Sequence, residues 1–114
     1  MRQDFVSLKL DELSLMLANI AELKQQDRWD EIIKILGANL KKILKTNLKE
    51  VRNLTETGMF AQLVKDEPTC FVPYKKMMLI ALLKETGNFA MHKGHPNSAR
   101  AWYLKGLHFL LDCL

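Results

Sequence analysis

The stretch LKETGNFAMHKGHPNSARAWYLKGL, residues 83–107, decides how this chain folds. It carries Leu83, Gly87, Gly94, Ala99, Tyr103 and Leu107, two helical patterns hinged at Lys93-Gly94-His95-Pro96. Gly94 suits the left-handed residue that closes a helix, and Pro96 with Asn97 and Ser98 suits the start of the next one. We read a helical hairpin, with the upstream helices covering its apolar sides.

Working outward, the first helix of that hairpin is expected over residues 74–93, with Pro73 in its first turn. Its middle, 77–83, is apolar all round and is expected in the core, Met77 and Met78 included. The second is expected to bury Ala99, Trp102, Tyr103, Gly106, Leu107, Leu110 and Leu114. Upstream, Asp4 suits the cap of a helix over 5–25 that carries two apolar stripes. One is Val6, Leu10, Leu13, Leu17 and Ile20; the other is Phe5, Leu8, Leu15, Met16 and Leu23. Such a helix is buried on more than one side, within the fold or against a second copy.

Asp27 is expected to open the next helix, with Glu31 in its first turn. Trp29, Ile32, Ile33, Leu36, Leu40, Ile43 and Leu44 give it one clean face, interrupted only by Gly37. The short link at 25–27 makes these two helices antiparallel neighbours. From Thr46 the pattern weakens to two short helical pieces, broken near Thr57-Gly58. Asp66-Glu67-Pro68 then stops helical structure, and 69–73 reads as extended linker. No segment alternates as a half-buried strand does. The expectation is an all-α antiparallel bundle of about five helices in one domain: a hairpin over 1–45, an irregular connection over 46–72 and a second hairpin over 73–114.

The intervals within the second hairpin carry a resemblance. From Gly87 it is seven residues to Gly94, five more to Ala99, four to Tyr103 and three to Gly106. The hairpin resembles a tetratricopeptide repeat, which places Gly, Gly, Ala, an aromatic and Ala at those intervals. Thr86, Ala90 and Pro96 depart from it, standing where a leucine and two aromatics are usual. The resemblance spans about 30 residues of the chain. It implies that the first helix of the hairpin presents a binding face, on which Lys84, Asn88 and Met91 fall at spacings of four and three. The whole layout also resembles a family of short bacterial proteins of Gram-positive type. Those open on a basic residue and an Asp before an aromatic, here Arg2, Asp4 and Phe5, and end in paired helices, here 79–110. That second resemblance implies architecture and no activity.

Hydrophobic content of 48% and charged content of 26% are ordinary for a globular protein. Lys and Arg exceed Asp and Glu by 17 − 13 = 4, too small an excess to name a polyanionic partner. Two isolated cysteines, Cys70 and Cys113, make neither a disulfide framework nor a zinc site. We read both as reduced, and Cys70 as inert in the absence of a histidine beside it. The longest apolar run, 77–83, falls well short of the ~20 residues that cross a bilayer. The first residues lack a signal-peptide apolar block, and a cytoplasmic protein is expected.

His92 and His95 are three apart, but Gly94 ends the helix between them, so we read turn histidines rather than metal ligands. Lys41, Lys42, Lys45, Lys49 and Arg52 form the densest basic cluster. Leu44, Leu48 and Val51 interleave with it and no aromatic offers a stacking face, so a solvated helix end is the preferred reading. Phosphate loops, paired catalytic carboxylates and nucleophile elbows are absent from the sequence. The expectation is therefore no enzyme, no cofactor and no metal. It is a protein–protein interaction module, forming a homodimer through Phe5, Leu8 and Leu15 or docking a partner through Lys84, Asn88 and Met91. The alternative is a nucleic-acid-associated regulator that uses the basic cluster.

Overall fold

A computed structural model describes residues 2–64 and 72–113, with the side chains of all of these except 2–10, 48, 56, 57, 60, 64, 112 and 113. Six helices follow in order: α1 Arg2–Gln25, α2 Trp29–Leu44, α3 Leu48–Val51, α4 Glu56–Val64, α5 Val72–His92 and α6 Pro96–Cys113. No strand occurs among the described residues. The fold is all-α.

The two tight turns close in the same way. Between α5 and α6, Gly94 takes φ +80. Its N–H donates to the Met91 carbonyl at 3.1 Å, and the His95 N–H donates to the Ala90 carbonyl at 3.0 Å. This pair of bonds is the Schellman closure, which wants glycine because a Cβ is strained in the left-handed region. Between α1 and α2 the same two bonds run from Asp27 to Lys24 and from Arg28 to Leu23, with Asp27 at φ 57. Asp27 thus closes α1 instead of capping α2. A short polar side chain tolerates the left-handed region better than most, and that use of Asp27 competes with capping. Arg28 takes the N-cap position and makes no side-chain cap bond.

α5 is the element the others pack on. Met78, Leu79, Leu82 and Leu83 of α5 share one core with Leu13, Ile20 and Leu23 of α1 and with Ile32, Leu36, Leu40, Ile43 and Leu44 of α2. α6 adds Ala99, Trp102 and Phe109 to the same core. Lys24 pairs with Glu85 at 2.5 Å, and Glu12 lies near enough to Tyr74 to act on its ionisation. α1 therefore runs parallel to α5. α2 and α6 run antiparallel to it, since each follows or precedes its neighbour across a tight turn.

Further expectations need correction. α1 begins at Arg2, so Asp4 lies within the helix and does not cap it. The connection breaks at 52–55 and not at Thr57-Gly58, because Thr55 starts a helix. Its Oγ1 accepts the Gly58 N–H at 3.0 Å, which caps α4 and carries Gly58 inside the first turn. That connection also reaches the core through Val51, Met59 and Leu63. Met77 is 54% exposed, since the apolar run on α5 wraps further round than its neighbours cover. On α6, Leu107 (49%) and Leu110 are exposed, while Phe109 is completely buried. The inward positions are 99, 102, 106 and 109, a stripe at spacings of three, four and three that leaves 107 and 110 one step round. α5 itself starts at Val72, with Pro73 in its first turn. The stop at Asp66-Glu67-Pro68, Cys70, Phe71 and Leu114 lie outside the described residues. No described helix is long and apolar enough to cross a membrane.

Candidate interaction surface

The closeness of α5 and α6 rests on two glycines. A Cβ at Gly87 would stand 2.5 Å from Tyr103 Cε1, so the phenol ring occupies the space that a side chain would fill. Gly106 lets α6 approach Leu83 in turn, where an added Cβ would sit 3.4 Å from the leucine Cβ. The ring is then fixed at its far end, where Tyr103 Oη donates to Asn88 Oδ1 at 2.6 Å. A hydrogen bond between side chains fifteen residues apart locks the register of the two helices.

Beside this seam runs a groove of about 190 Å³ lined by Ile80, Lys84, Tyr103, Gly106, Leu107 and Leu110. Lys84 is the one charged residue among them. On the α5 side, Met77, Ile80, Lys84, Asn88 and Met91 follow one another at spacings of three, four, four and three, which is one face of a helix. Met77, Met91, Leu104 and Leu111 are exposed around the groove. The result is an apolar strip that no described element covers.

The three residues singled out on the first helix of this hairpin all lie along that strip. Lys84 lines the groove, Met91 is exposed at its end, and Asn88 is half-buried as the acceptor for Tyr103. Leu15 is 70% exposed, on the side of α1 away from the inward-facing Leu13, Ile20 and Leu23. The side chains of Phe5 and Leu8 lie outside the described residues. The structure does not place Leu15 in the lining of the groove.

The basic cluster divides. Lys41, Lys42 and Lys45 are exposed at the end of α2. Lys49 and Arg52 turn instead toward Lys93 and His95 at the α5–α6 turn, where all four line a second depression together with Ile33, Phe89 and Trp102. Residues from four separate segments build that hollow, so no local spacing signals it. His92 stacks on Trp29, with centroids 4.3 Å apart and planes at 12°, and its Nε2 lies 3.8 Å from Asp27 Oδ1. His95 and His108 are exposed. Among the described residues no group of three His, Cys, Asp or Glu is placed to hold a metal ion.

No protein-family model, curated protein or solved structure matches this chain.

Proposed function

We propose that this chain is a small cytoplasmic protein–protein interaction module that works through the open α5–α6 face, pairing first of all with a second copy of itself. The observation that supports it is the uncovered apolar strip formed by Met77, Ile80, Leu107 and Leu110. Stacked helical hairpins bury such a groove under the next helix, and an apolar strip left in water favours a partner that covers it. Lys84, Asn88 and Met91 continue the strip to a more polar end, where a partner finds register as well as apolar area. This reading assigns no catalytic step, cofactor or metal. The nucleic-acid alternative has weaker support, because of the five cations it would use only Lys49 and Arg52 line a shared depression, and Lys41, Lys42 and Lys45 are exposed outside that lining.

Light scattering across a micromolar to millimolar dilution series tests the proposal. The expected result is a dimer that Leu107→Glu with Leu110→Glu converts to a folded monomer. A wild-type chain that stays monomeric throughout rules out self-pairing. A dimer that survives those substitutions but separates in Leu15→Glu moves the interface to α1.

A further inference from the structure

We propose that the depression enclosed by α2, α3 and the α5–α6 turn binds a small organic anion with a flat apolar body, such as an aromatic carboxylate. The hollow measures about 450 Å³, a size at which small-molecule sites are found. Its apolar wall is built by Ile33, Phe89 and the buried Trp102. Its rim carries Lys49, Arg52 and Lys93, and no carboxylate lines it. Lys93 is partly engaged, 3.6 Å from Asp30 Oδ1 and 5.6 Å from the centroid of the Phe89 ring. Lys49 and Arg52 have no ion-pair partner among the described residues.

The two features select the ligand together. Three like charges around one opening repel one another, and an anion seated among them relieves that repulsion. The aromatic wall rewards a flat apolar body, which an inorganic anion lacks. Arg52, His95 and Ser98 also border an adjoining hollow of about 520 Å³, so the anionic group has room on the side of the α6 N-terminal end, where the helix dipole has the same sign as the cations. The site lies apart from the α5–α6 groove and does not depend on it: the two share no lining residue.

A nuclear magnetic resonance titration of the full chain tests this with three probes: cinnamate, its uncharged amide cinnamamide, and inorganic phosphate. The expected result is saturable cinnamate binding that shifts the resonances of Ile33, Phe89 and Trp102, with the amide and phosphate binding more weakly. Lys49→Glu with Arg52→Glu, both on exposed side chains, should weaken cinnamate by roughly fivefold or more, the size of a partly screened charge contact, and leave the amide unchanged. The proposal is overturned if cinnamate does not saturate, or if its shifts centre on Ile80, Leu107 and Leu110. It is equally overturned if the amide binds as tightly as the acid, or if charge reversal leaves cinnamate affinity as it was.

Discussion

Tyr74 sits near the start of α5 with its hydroxyl buried and donating to the Met78 sulfur at 3.6 Å. Burial removes the phenol from water, and the Glu12 carboxylate disfavours a second negative charge nearby; both raise its pKa above the usual value of 10.0. In the unfolded chain the same phenol ionises near its ordinary value, so the folded state binds its proton more tightly. The stability this residue contributes is present in full below about pH 10 and is lost as pH rises through the folded value. Circular dichroism against pH should find alkaline unfolding that begins above that point and moves to higher pH in Tyr74→Phe. An unchanged alkaline midpoint in the variant would assign the loss to other groups.

The hairpin of α5 and α6 is governed by one ring in one gap. Gly87→Ala puts a methyl group where the Tyr103 ring lies, and the ring is tied to Asn88 and cannot swing freely. Overpacking of this kind costs about 1–3 kcal/mol, readable as a lower midpoint in urea. Tyr103→Leu in the Gly87→Ala background should recover part of that loss; a double variant weaker than the sum of the single ones contradicts the account. These elements also mark how far the sequence can be read. The seam was legible because Gly87, Gly94, Ala99 and Tyr103 lie close together and each answers a local steric demand. α2 was legible for a similar reason: Ile32, Leu36, Leu40 and Ile43 recur at helical spacing with Asp30, Glu31, Lys34, Lys41 and Lys42 around them, and all four are buried. α6 was legible only in its first part, where Ala99, Trp102 and Gly106 are buried as expected; further on, Leu107, Phe109 and Leu110 crowd within four residues and only the neighbouring helix decides which of them turns inward. Met77 was misread for the same reason. The groove stayed hidden for that reason: apart from Lys84, its lining consists of residues whose apolar or small side chains read as core.

Across the whole molecule, α1 is fastened to α5 by more than apolar contact. Lys24 places its ammonium 2.5 Å from Glu85 Oε2, and the glutamate is the one charged residue buried among the described residues. Nothing in the sequence joins residues sixty-one positions apart, so this pair emerges only from the packing of the first hairpin against α5. Lys24→Met leaves the carboxylate without its cation. The expected loss is about 1–3 kcal/mol, below the ~3–5 of a fully enclosed pair, because Lys24 still reaches water. Adding Glu85→Leu should restore most of it, since two apolar groups replace a costly buried pair. Denaturant midpoints of the two single variants and the double variant decide this; a double variant no more stable than Lys24→Met would show that the glutamate serves some other contact.

The two tryptophans stand on different helices that pack on α5. Trp29 opens α2, half-buried against His92 and Phe89, while Trp102 is buried on α6. An indole in water emits further to the red than one in an apolar interior, and a stacked imidazole dims its neighbour. The chain therefore has two built-in optical signals, one on α2 and one on α6. Trp29→Phe and Trp102→Phe would isolate them, so that peeling of the first hairpin and unpacking of the last helix can be watched as separate changes in colour and brightness.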